Sequence, residues 1–136
     1  MFKINNSNTK ETYGSFIASQ KWDIYGTTTY RNPISATANR RIFEKLFQTD
    51  PTIDRMFFVS EPFISQNHVH CHFLISSNNS NLSLLNLNRK FSKYGRHQIE
   101  LISEDNNVKN NKGELSVCYY LTKTISRNTD YDFLIK

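Results

Sequence analysis

Three of the four histidines in the chain fall within five residues, in Asn67-His68-Val69-His70-Cys71-His72-Phe73-Leu74-Ile75. The segment alternates polar and apolar residues and is rich in β-branched and aromatic types, which predicts a strand from His68 to Ser76. Side chains alternate faces along a strand, so His68, His70 and His72 share one face. Val69, Cys71, Phe73 and Ile75 share the other, the face expected to pack against helices. Imidazoles two residues apart on a sheet face lie ~7 Å apart at Cβ and can converge on one metal ion. The preceding strand, Arg55 to Glu61, would run antiparallel to this one and bring the Glu61 carboxylate alongside. Two imidazoles and a carboxylate suit a non-haem iron, and equally Mg²⁺ or Mn²⁺ where a substrate supplies phosphate oxygens. Spacing alone does not choose the metal.

A second segment capable of chemistry is Leu115-Ser116-Val117-Cys118-Tyr119-Tyr120-Leu121-Thr122-Lys123-Thr124-Ile125. As a helix it buries Val117, Cys118, Leu121 and Ile125 in one stripe. Tyr120 then stands at the rim of that stripe, where it can reach over the adjoining sheet, and Tyr119 points nearly away from the core. Lys123 follows Tyr120 by three positions and Tyr119 by four, so its ammonium neighbours both hydroxyls. A phenol with a reference pKa of ~10 is a poor nucleophile at neutral pH. A nearby ammonium and a metal-polarised phosphate would both assist its attack.

The remaining elements must position these two. Trp22 to Tyr30, WDIYGTTTY, reads as a first strand closed by Asn32-Pro33. Ser35 caps an amphipathic helix through Phe47, in which Ala38, Ile42 and Leu46 recur at helical spacing, and Asp50-Pro51 ends it. A helix from about Leu82 to Tyr94 stops at Gly95, and a fourth strand covers Gln98 to Ile102. The tyrosine helix spans Glu114 to Ser126, and Tyr131 to Ile135 forms a last strand. Residues 1–12 are polar and read as frayed. The order β-α-β-β-α-β-α with a terminal strand is the ferredoxin-like, split β-α-β arrangement. It is an α+β fold with a central, mostly antiparallel sheet of about five strands and helices on one face.

At 136 residues the chain is one domain, 1–136, and is long enough to fold without a disulfide or structural metal. Hydrophobic residues are 38% and mean hydropathy is −0.59, with no apolar run near the ~20 residues of a membrane span. Only Cys71 and Cys118 are present, which fits a reducing compartment rather than a disulfide framework. Seventeen Lys and Arg against twelve Asp and Glu give a net charge of +5, which favours a polyanionic partner. Arg40, Arg41, Arg89, Lys90 and Lys93 are the helix cations that could hold a DNA backbone.

With these segments in view, the chain resembles the HUH endonuclease superfamily of replication initiators, relaxases and single-strand transposases. WDIYGTTTYRNP resembles the first motif of rolling-circle initiators, HVHCHFLIS the His-hydrophobe-His motif, and VCYYLTK the Tyr-x-x-Lys motif of single-tyrosine initiators. Together they cover roughly residues 22 to 125, in family order. The resemblance implies sequence-selective nicking and joining of single-stranded DNA through a 5′-phosphotyrosine, initiating rolling-circle replication of a virus or plasmid. It implies Tyr120 as nucleophile with Lys123 assisting, and His70, His72 and Glu61 as ligands of Mg²⁺ or Mn²⁺. The hydrophobes Phe73-Leu74-Ile75 favour His70 with His72, and His68 with His70 is the other register. The implied partners are single-stranded DNA or a hairpin origin, a host helicase and the replication machinery, since no GxxxxGK[ST] phosphate loop is present. The implied location is the cytoplasm of the host cell, with no membrane. A homodimer could form through the last strand, DYDFLI, as an exposed edge. The rival readings are a single-strand transposase of the same superfamily and a non-catalytic nucleic-acid-binding module on the same scaffold.

Overall fold

A computed structural model describes residues 7–62, 69–77, 84–102, 116–123, 125 and 129–136. The elements run α1 (Ser7–Ala18), β1 (Ile24–Tyr30), α2 (Ala36–Thr49), β2 (Ile53–Pro62), β3 (Val69–Ser77), α3 (Leu84–Ser92), β4 (Gly95–Leu101), α4 (Ser116–Lys123) and β5 (Asp130–Ile135). The strands form one five-stranded sheet in the order β4-β1-β3-β2-β5, and every neighbouring pair is antiparallel. The β1-α2-β2-β3-α3-β4 core is the split β-α-β unit expected from the sequence, so the chain is an α+β fold. β5 adds a fifth strand outside β2.

Local chemistry accounts for the element ends. Ser35 adopts an extended backbone and its hydroxyl accepts from the Ala38 amide, which caps α2. Asp50 closes α2, its amide bonded to the Leu46 carbonyl, and its carboxylate accepts from the Thr52 amide at 3.0 Å to turn the chain into β2. Gly95, at φ +147, ends the α3 segment and begins β4 in the same step, so β4 starts three residues before the expected Gln98.

Helices cover both faces of the sheet, not one. Ile24, Met56, Phe58, Cys71, Phe73 and Ile75 pack with Phe43 and Leu46 of α2 and Leu87 and Phe91 of α3. On the opposite face Phe57, Val59, Leu74 and Tyr131 pack with Ile17 of α1 and with Cys118, Leu121 and Ile125 of the α4 segment. Consecutive buried residues such as Phe57-Phe58-Val59 and Phe73-Leu74-Ile75 are what a strand covered on both sides requires.

Of the stretch expected to fray, residues 7–12 form the first half of α1. Its stability comes from tertiary contact rather than from local propensity. Ile17 is fully buried, the Tyr13 ring meets the Phe57 and Tyr131 rings edge-on at 5.9 Å, and Trp22 Nε1 donates to the Ile17 carbonyl at 2.8 Å.

Candidate metal and tyrosine site

The site is assembled from the middle of the sheet outward. β3 is the central strand, and its register sets Thr29 and Glu61 on either side of His70, with Thr27 and Val59 on either side of His72. Directly opposed residues of antiparallel strands share a face, so Thr27, Thr29, Glu61, His70 and His72 all project from the α4 side. Cys71 and Phe73 project into the other core, as the alternation predicts.

Glu61 Oε2 lies 3.2 Å from His70 Nε2 and 3.2 Å from His72 Nε2. One ligand atom from each of the three residues falls within 4.8 Å of the other two. Bonds of ~2.1 Å set cis ligands about 3.0 Å apart in an octahedron and about 3.4 Å apart in a tetrahedron. The spacing therefore suits a cation accepting two nitrogens and a carboxylate oxygen. The side chains of His70, His72 and Glu61 are 20%, 11% and 30% exposed, so the cluster is half sheltered and open on one side. His68 lies outside the described residues, and the geometry described is that of the His70–His72 register.

Burial, and next the neighbouring His70, hold the His72 imidazole below its ordinary pKa of 6.5. His72 is therefore neutral near pH 7, the form that offers a lone pair to a metal. The same shift gives a direction for stability in metal-free buffer. An unfolded chain takes up the His72 proton as pH falls through 6.5, before the folded chain does. This contribution to stability is thus intact above pH 6.5 and declines as acidity increases from there to the lowered folded value. The expected result is a urea midpoint that falls across that window, with a smaller fall in His72→Gln.

Sequence reasoning missed one residue. Thr27 Oγ1 lies 3.2 Å from His72 Nδ1, on the imidazole edge away from Glu61. A hydrogen bond there fixes the ring so that Nε2 faces the cluster. WDIYGTTTY places Thr27 in a strand, but its partner is 45 residues away, and only the cross-strand register reveals the pairing.

Tyr120 stands over the same patch. Its ring centroid is 6.3 Å from that of His72, edge to face at 88°. The residue is 55% exposed, one of few large hydrophobic side chains so open among the described residues. Cys118 and Leu121 of α4 face the core, which leaves Tyr120 at the helix rim as the helical spacing predicts. Lys123 is the last residue of α4, three positions past Tyr120; its side chain, like that of Tyr119, lies outside the described residues.

The helix cations are not brought to this cluster. Arg40 is bound up in structure: its guanidinium donates to both oxygens of Asp130 at 2.8 and 2.9 Å, to Asp132 at 2.7 Å and to Glu44 at 3.1 Å. It also lies over the Phe58 ring. It fastens α2 to β5 and has no charge to spare for a phosphate. Lys90 pairs with Asp50 at 3.1 Å, and Lys93 lies 5.1 Å from the centre of the Tyr94 ring. Arg41 and Arg89 are exposed, but they stand on α2 and α3, which cover the face opposite the histidines.

Comparison with family models, with curated proteins and with solved structures finds no match to this chain. Among the described residues, no helix is long and apolar enough to cross a membrane.

Proposed function

We propose that the chain is a metal-dependent, single-stranded DNA nickase and strand-joining enzyme that initiates rolling-circle replication. The observation that carries this reading is the juxtaposition of Glu61, His70 and His72 with the exposed Tyr120, whose ring lies 6.3 Å from that of His72. Glu61, His70 and His72 would hold one Mg²⁺ or Mn²⁺. When bound, the cation supplies positive charge to a non-bridging oxygen of the scissile phosphate.

Tyr120 Oη, its proton passing to water, forms the new bond to phosphorus. The bond from phosphorus to the 3′ oxygen breaks, and that oxygen leaves as a 3′-hydroxyl on taking up a proton. The 5′ phosphate remains on the tyrosine as a diester, so the reverse attack by a 3′-hydroxyl rejoins the strand without an external energy source. Lys123, one turn along α4, is assigned the developing negative charge. Partners drawn from the host replication machinery, a host-cytoplasmic location and self-pairing of β5 belong to the same reading. β5 is the edge strand beyond β2, which leaves its outer side open among the described residues.

The test is a covalent trap: chain, Mn²⁺ and a randomised single-stranded DNA pool, resolved on a denaturing gel with and without a chelator. The expected product is a metal-dependent, slowly migrating adduct. DNA binding without any adduct would instead favour the non-catalytic module.

Thr27 gives an independent readout of the metal site. Thr27→Val removes the hydrogen bond to His72 Nδ1 and should weaken Mn²⁺ binding by roughly 10-fold, the low end of outer-shell effects on metal affinity. Thr27→Ser should restore it. Calorimetric titration with Mn²⁺ measures both without DNA; equal affinity in Thr27→Val would remove the orienting role.

A further inference from the structure

Beside the histidine cluster, β1 and β4 end in an open cleft of about 580 Å³ lined by Thr29, Tyr30, Arg31, Gly95 and Arg96. The cleft exists because the two strands close tightly at this end. The Arg31 amide donates to the Tyr94 carbonyl at 2.9 Å. A Cβ on Gly95 would stand 2.4 Å from the Arg31 nitrogen and 2.7 Å from the Thr29 carbonyl oxygen. A side chain at 95 would collide with the floor.

The cleft is basic, with no carboxylate in its lining. Arg31 and Arg96 are exposed, and among the described residues neither guanidinium has a hydrogen-bond or ion-pair partner. They contrast with Arg40, held by three carboxylates, and with Lys90, paired with Asp50. Register fixes where the cleft lies: Arg96 is opposite Thr29, and Thr29 is opposite His70. Arg96 therefore shares the face of the metal cluster, two strand spacings or about 10 Å from His70. Arg31 follows Thr29 by two positions, just past the end of β1, and the two unengaged guanidinium-bearing residues that line this cleft offer it an anion site.

We propose that this cleft takes a backbone phosphate of single-stranded DNA flanking the one presented to Tyr120. This deepens the nickase reading and rests on it for the identity of the strand. Bonds to phosphate carry register rather than sequence, so the cleft sets which linkage reaches the tyrosine.

The test uses fluorescence anisotropy with a fluorescein-labelled oligothymidylate in metal-free buffer, on the full chain. Arg31→Ala/Arg96→Ala should bind about tenfold or more weakly. Its slope of log affinity against log salt should shrink by about 0.7 for each phosphate that is no longer neutralised. Arg41→Ala, on the opposite face, should match the unaltered chain in both. Undiminished affinity in the double variant, or no binding by the unaltered chain, overturns the proposal. The covalent trap separates the two readings. An adduct with undiminished affinity in the double variant sinks the cleft and keeps the nickase. Weakened binding in the double variant with no adduct from the unaltered chain keeps a DNA-binding cleft and sinks the nickase.

Discussion

Tyr120→Phe is expected to abolish the covalent DNA adduct while leaving the fold unchanged. The substitution removes one oxygen from a side chain that is 55% exposed. Exposed changes of this kind alter stability by no more than about 0.5 kcal/mol, so the melting temperature should hold. The ring keeps its place beside His72. Activity has no such tolerance: without the hydroxyl no bond to phosphorus forms, and removing a covalent nucleophile costs on the order of 10⁴-fold or more. Tyr119→Phe should retain the adduct. Adduct formation abolished in Tyr119→Phe and kept in Tyr120→Phe would transfer the nucleophile by one residue and refute the helix-rim argument. Removal of divalent metal should have the same effect as Tyr120→Phe, without altering the gel mobility of the free chain.

The second large effect is on stability and concerns Gly26, within the same GTTTY segment. Gly26 is directly opposite Phe73 in the β1–β3 ladder. A Cβ at 26 would lie 2.2 to 2.8 Å from three carbons of the Phe73 ring. That ring cannot step aside, since it is fully buried, stacked on Phe91 at 5.0 Å and tilted against Phe43 at 5.2 Å. Gly26→Ala should therefore destabilise the chain by about 1–3 kcal/mol, the usual range for overfilling a packed core. Urea denaturation measures it. The double variant Gly26→Ala/Phe73→Leu should recover part of the deficit, because the clash is with the ring itself. A neutral Gly26→Ala would mean that β1 and β3 can part locally, and the register that aligns Thr27 with His72 would then be loose.

The histidine face and the helix-rim position of Tyr120 were legible in the sequence because each follows from a local period: two for the strand, 3.6 for the helix. The split β-α-β order was legible for the same reason. The both-sided burial of the sheet had a signal too, in the unbroken runs MFFV and FLI, which a one-sided sheet would have interrupted with polar residues. α1 carried little signal, since its polar sequence is held by Tyr13, Ile17 and Trp22 docking on residues far along the chain. Which of the helix cations are engaged was not legible. Whether an arginine is engaged depends on distant carboxylates such as Asp130 and Asp132 for Arg40, which no local pattern discloses.

β3 carries the two candidate ligand histidines on one side and the phenylalanine core on the other, and is flanked by strands on both edges. A slip of one residue along its neighbours would bury two imidazoles among Phe43, Phe58 and Phe91 and turn Phe73 out of that core onto the α4 face. For an engineer or for natural variation, the permitted edits are therefore unequal. Insertions and deletions in the connections between elements can change loop length and leave the chemistry in place. A single-residue insertion within 69–72 displaces the candidate metal ligands and the core residues that follow together, so a library of length variants should contain folded chains with an intact cluster and unfolded chains, but almost none that fold with the cluster displaced.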